Sequence, residues 1–299
     1  MKRIAGLIGL VLLTTALGGA APDAALRPLP FYYDLYTFRG AGGTTDVVAA
    51  FAVPAGRLRA EDRRAGVRYR FDVTLVLADT ARRTVSRTDD SVFVATRRAL
   101  DADHLLYTQV DVRAAPSRST LQRVIMTDAS APGIGQLYGG PFPVPDYRGR
   151  RLMMSDVVLG QPTGAAGWRR GGHVLALLPT DHLPAAAFDV YYEVYNLPAR
   201  RAYSTEIAIE RLDAPAEADD RWMRLRFEGE AASTRNGTLV ELRRIDTAVR
   251  EGRYRLTIAV RDEETGHVTR QSRLFRVRGP QGGATMVPAR PLRERTARR

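Results

Sequence analysis

The chain has 299 residues, no cysteine, and 45 Lys and Arg against 33 Asp and Glu, for a formal net charge of +12. The missing thiols exclude disulfides, thiolate metal sites and lipid attachment through a cysteine. The charge does not point to nucleic acid: the first three residues and the last 21 carry half of it, and the rest is spread along every segment instead of forming one patch.

In chain order, Met1-Lys2-Arg3 is a positive start, Ile4 to Leu17 is apolar, and Gly18-Gly19-Ala20-Ala21 offers small residues for cleavage. This is the pattern of a secretory signal peptide, residues 1–24, cut between Ala20 and Ala25. Pro22-Asp23 ends the run before the roughly 20 residues that a spanning helix needs. The sequence therefore predicts an exported protein, periplasmic, outer-envelope or extracellular, with no membrane-spanning segment in the mature chain.

Beyond the leader, apolar residues recur with period two in short runs bounded by Gly, Pro, Asp and Asn, the pattern of half-buried strands. Strands are predicted at Phe31–Phe38, Asp46–Val53, Val67–Ala78, Thr84–Thr96, His104–Val112 and Leu121–Thr127. A second set follows at Leu152–Leu159, His173–Leu178, Phe188–Tyr195, Tyr203–Leu212, Trp222–Phe227, Thr238–Ile245, Arg253–Arg261 and Val268–Val277. A short helix over Ala95–Asp103 stays open as an alternative. Strands joined by turns indicate an all-β fold of two tandem immunoglobulin-like antiparallel β-sandwich domains, residues 25–145 and 146–278. Ala131 to Arg151 holds Pro132, Pro141, Pro143 and Pro145, and reads as the linker because prolines are kept out of central strands. Residues 279–299, with Pro280, Pro288, Pro291 and five arginines, read as a disordered basic tail. The closing hairpin alternates cleanly, with Tyr254, Leu256, Ile258 and Val260 on one face and a turn at Asp262–Gly266. Tyr254 at the start of the penultimate strand is predicted to be a structural tyrosine corner, its hydroxyl bonded to backbone upstream.

Chemistry is sparse. His104, His173, His182 and His267 are too scattered for a local metal motif, and no serine elbow, phosphate loop or dinucleotide fingerprint occurs. Asp89-Asp90, Asp219-Asp220 and Glu263-Glu264 are the acidic pairs that a glycosidase would require, yet each is explained by a strand or a polar turn. The expectation is a non-enzyme with no catalytic, cofactor or metal residues. Trp168, followed by Arg169 and Arg170, is the candidate partner-binding group, able to stack on a sugar or grip an acidic partner. The competing reading is that Trp168 plugs one end of a sandwich.

Leu152 to Leu159, Phe188 to Leu197 with its Tyr191-Tyr192-Glu193-Val194-Tyr195, the opening Phe31 to Tyr36 and Gly252-Arg253-Tyr254 together resemble the β-sandwich region of the GWxTD domain family of exported bacterial proteins. Gly167-Trp168 continues as Arg169-Arg170-Gly171, so the motif that names the family is absent. The resemblance implies a location in the envelope or outside the cell and transfers no catalytic residue. The functional expectation is an exported structural or protein-binding module acting on an unknown envelope protein by sheet-edge addition or loop contacts. A glycan-binding or glycan-processing accessory protein is the alternative.

Overall fold

A computed structural model describes residues 27–164, 167–184, 187–215, 222–231, 237–246, 249–278 and 285–292. The predicted leader, the Asp219-Asp220 pair and the ends of the predicted tail lie outside the described residues. Those that are described form strands, turns and two short 3-10 turns.

The first set of strands is β1 (Arg27–Pro28), β2 (Tyr32–Arg39), β3 (Thr45–Pro54), β4 (Glu61–Arg63), β5 (Gly66–Ala78), β6 (Thr84–Thr96), β7 (Leu105–Ala114), β8 (Ser117–Asp128) and β9 (Gly133–Val144). The second comprises β10 (Met153–Met154), β11 (Val158–Pro162), β12 (Trp168–Arg170), β13 (His173–Leu177), β14 (Leu183–Pro184), β15 (Phe188–Tyr195), β16 (Ala202–Arg211), β17 (Trp222–Glu230), β18 (Thr238–Ile245), β19 (Gly252–Asp262) and β20 (Val268–Arg278). Two further strands, β21 (Met286–Pro288) and β22 (Arg290–Pro291), follow.

Four sheets result. A seven-stranded sheet, β1-β9-β8-β5-β6-β22 with β4 on β5, faces a four-stranded sheet, β2-β3-β7-β21. A sheet built on β15, flanked by β18 on one side and by β10, β11, β13 and β12 on the other, faces β14-β20-β19-β16-β17. Within each half the long strands pair alike. The order β2-β3-β7 against β9-β8-β5-β6 repeats as β11-β15-β18 against β20-β19-β16-β17.

Alternation decides which core each side chain enters. Val47, Ala49, Phe51 and Val53 of β3 join Phe71, Val73, Leu75 and Leu77 of β5 in the first core. Val190, Tyr192 and Val194 of β15 join Ile207, Leu256 and Ile258 in the second. The residues between them are buried too. Val48 and Ala50 on the other face of β3 meet Trp168, Leu175, Leu177 and Tyr191 in a third cluster. The four-stranded sheet thus packs its outer face on the outer face of the β15 sheet, and the two sandwiches share a core.

Three sequence expectations need correction. The proline-rich segment is not simply a linker, because Gly133–Val144 is strand β9. Its prolines are tolerated because β9 is near the sheet edge: β1 pairs with it only at Gly133 and Ile134, and its register to β8 is irregular on the side that carries Pro141 and Pro143. The predicted tail is not wholly disordered, since Met286–Pro288 pairs in parallel with β7 and Arg290–Pro291 pairs antiparallel with β6. Apolar Met286, Val287 and Ala289 give it enough surface to bury against the cores. The predicted strand Leu152–Leu159 is interrupted where Ser155 and Asp156 turn toward other partners, leaving β10 and β11. Residues 97–103 form bends and turns, not a helix.

In the closing hairpin, the Tyr254 hydroxyl donates to the Arg250 carbonyl oxygen at 2.8 Å, four residues upstream, and its ring stacks on Phe275 with centroids 5.2 Å apart. Tyr254→Phe keeps the stacking and removes the bond. The expected cost is about 1 kcal/mol in urea unfolding; a neutral result would mean that the bond does not hold the strand crossover.

Candidate functional site

The three residues singled out as a partner site lie where the sandwiches join. Trp168, Arg169 and Arg170 form β12, paired with β13 in the register Trp168↔Leu175 and Arg170↔His173. Gly171 and Gly172 close this hairpin with φ of +56° and +83°, the two positive values that a tight two-residue turn requires. A Cβ on Gly171 would also meet the Tyr191 hydroxyl at 2.7 Å.

Strand alternation then sends Trp168 and Arg170 inward and Arg169 to solvent. Trp168 is 6% exposed, its ring 5.2 Å from Phe38 and 5.1 Å from Tyr191, edge-on to the latter. The indole face is therefore spent on the joint between the sheets and is not offered to a sugar.

Arg170 spans the joint. Its Nε donates to Glu193 Oε1 at 2.6 Å and its Nη2 to Glu193 Oε2 at 3.1 Å, while Nη1 reaches Asp46 Oδ2 at 3.0 Å. Nη2 also donates to the Arg39 carbonyl at 2.8 Å, and the guanidinium lies 4.5 Å from the Phe38 ring centroid. Glu193 further accepts from the Tyr191 and Tyr195 hydroxyls at 2.6 and 2.7 Å. Burial opposes the Arg170 charge, but Glu193 and Asp46 outweigh it and raise the guanidinium pKa. Both tyrosines are pushed up as well, first by burial and then by the neighbouring Glu193 carboxylate. The guanidinium therefore stays charged and both phenols stay neutral near pH 7.

Two other polar anchors cross the same joint. Asp34 on β2 accepts from Thr180 N and Oγ1 at 2.8 and 2.7 Å and from Arg273 Nη2 at 2.6 Å. Asp156 Oδ2 accepts from Thr37 N and Oγ1, both at 2.7 Å. At the rim, a crevice of about 380 Å³ is lined by Trp168, Arg169 and Arg170 from β12 together with Asp46, Asp111 and Arg113 from the four-stranded sheet. It brings the predicted residues together beside two carboxylates, of which Asp46 is already bonded to Arg170.

The histidines stay apart. His104 lies by Asp101, His173 near Tyr191, His182 against Tyr32, and His267 on the surface. Among the described residues no three His, Asp or Glu side chains are grouped to hold a metal ion. No helix among them is long and apolar enough to cross a membrane.

Recognition features missed in the sequence sit on the seven-stranded sheet. On β9, Leu137 is 42% and Tyr138 69% exposed, and no described strand pairs with that edge beyond Ile134. The signal was present: a Gly-Pro-rich strand ending in exposed apolar residues reads as an edge once it is recognised as a strand.

No family model matches the chain, and no curated protein does. Among solved structures it is similar to a β-glucuronidase of Bacteroides uniformis, at 13% identity and a TM-score of 0.28 over 78% of this chain and 26% of that one. It is also similar to a red sea bream transglutaminase, at 12% identity and a TM-score of 0.22 over 83% of this chain and 31% of that one. The chain spans less than a third of either structure's length.

Proposed function

We propose that the protein is an exported, non-enzymatic module of two joined immunoglobulin-like sandwiches that takes up an extended segment of another envelope protein along β9. The observation that carries this reading is the β9 edge: beyond Ile134 its backbone has no described strand beside it, and Leu137 stands exposed there. An open edge offers main-chain hydrogen bonds to an incoming strand, with side-chain pockets for specificity. The immunoglobulin-like assignment is supported by the repeated strand order of the two halves and by the Tyr254 bond at the start of β19. Export rests on the leader pattern and on the resemblance to the GWxTD sandwich region. The joint supports a binder rather than a catalyst, because Asp34 and Asp156 are held by donors from the opposite sandwich and Glu193 is held by Arg170, which also reaches Asp46 across the joint.

The test is recovery of partners from native envelope extract on the full mature chain and on Leu137→Lys, which places a charge on the open edge. The expected result is a loss of about tenfold or more in the affinity for the recovered protein. Equal recovery by the variant, or recovery of glycan alone, would overturn the reading. Deleting residues 279–299 is not an equivalent test, since it also strips β21 and β22 from the first sandwich.

A further inference from the structure

The outer face of the seven-stranded sheet holds a hollow of about 540 Å³ over β5, β8 and β9. Val76, Ala78 and Leu121 give it an apolar floor, and Tyr138 on β9 forms a wall. Arg82 and Arg123 line it, and none of its nine lining residues is acidic. Ladder irregularities border it on two sides, at Leu77/Ala78 in β5 and between Thr120 and Gln122 in β8. Arg82, in the turn above, adopts φ of +62°. Bulges and left-handed residues of this kind re-aim side chains, and they collect at binding sites.

Arg123 stands on the outer face beside Tyr138, in the register Arg123↔Tyr138. It spends Nη2 on Gln136 at 2.5 Å and lies 5.4 Å from the Tyr138 ring centroid, leaving Nε unused.

We infer that this hollow binds an acidic sugar residue, a pyranose ring that carries a carboxylate. Arg82 and Arg123 take the carboxylate, and the C–H face of the sugar lies on the Tyr138 ring above the apolar floor. A bare phosphate would leave the floor and ring unused. An acidic strand would add at the sheet edge, whereas the hollow lies on the sheet face, where Tyr138 is an exposed aromatic ring. The site is separate from the open β9 edge, so either reading can fail without the other.

The experiment is calorimetric titration of the full mature chain with D-glucuronate, glucose, inorganic phosphate and hexaglutamate. Glucuronate is expected to bind about tenfold or more tightly than each of the other three. Tyr138→Ala and Arg82→Ala should each weaken it by about tenfold. Both variants should melt close to the parent, because Tyr138 is 69% exposed and Arg82 is exposed too. No glucuronate binding, equal binding of glucose, phosphate or hexaglutamate, or undiminished binding by both variants would overturn the inference.

Discussion

Arg170→Met is expected to destabilise the protein by about 3–5 kcal/mol and to unfold in two urea transitions where the parent is expected to show one. Methionine fills most of the volume beside Phe38, so little of the loss comes from a cavity. What remains is Glu193, nearly fully buried, with the Tyr191 and Tyr195 hydroxyls but without the two guanidinium donors that neutralised it. A buried carboxylate stripped of its cation costs far more than the intact pair contributes. The loss should therefore be largely relieved by a second change, Glu193→Gln, which removes the orphaned charge. The transition should split because each sandwich has its own core and Arg170 is bonded across the joint between them, to Asp46 and the Arg39 carbonyl oxygen. A loss below about 1 kcal/mol, the range of exposed pairs, would show the joint to be solvated and the sandwiches to move independently.

The strands themselves were legible because period-two alternation survives wherever one face meets a core. Thr84–Thr96 and Phe188–Tyr195 were predicted with the boundaries that the structure has. The joint was not legible, although its trace is in the sequence. In Phe188–Tyr195 every residue is buried, and the odd-numbered Tyr191, Glu193 and Tyr195 are as apolar or bonded as the even ones. A strand without a polar face has to be covered on both sides, and Trp168 and Arg170 are what cover it. Single-strand periodicity cannot name that cover, since it comes from a hairpin distant in sequence. Arg170 and Asp46, 124 residues apart, meet only through the topology. Short strands such as Trp168–Arg170 and Met286–Pro288 were missed for a related reason: three residues hold no period, and they are strands only because a longer neighbour offers its edge. The hollow beside Tyr138 was hidden by the prolines and glycines of β9, which spell turn until the neighbouring strand β8 pins them.

A disulfide engineered between Phe93→Cys and Arg290→Cys should form within one chain and raise stability by about 3 kcal/mol relative to the reduced form of the same variant. Arg290 and Phe93 face each other in the antiparallel pairing of β22 with β6, at a Cα spacing typical of such pairs and within disulfide reach. The native chain has no cysteine, so no other bond can compete. The gain comes from tying the end of the chain, which has already passed through the second sandwich, back to the first. That closes a long loop in the unfolded state and restricts it strongly. The same geometry gives the companion result for truncation after Arg278. Without Thr285 O, Leu105 N loses its partner, and Leu105 and Tyr107, buried beside Met286, lose part of their cover. The protein should then lose about 2 kcal/mol in the transition that the joined sandwiches share. On a non-reducing gel the oxidised variant should run as a compact monomer. A covalent dimer would mean that the strap pairs between chains, and failure to oxidise would mean that it does not lie along β6 at all.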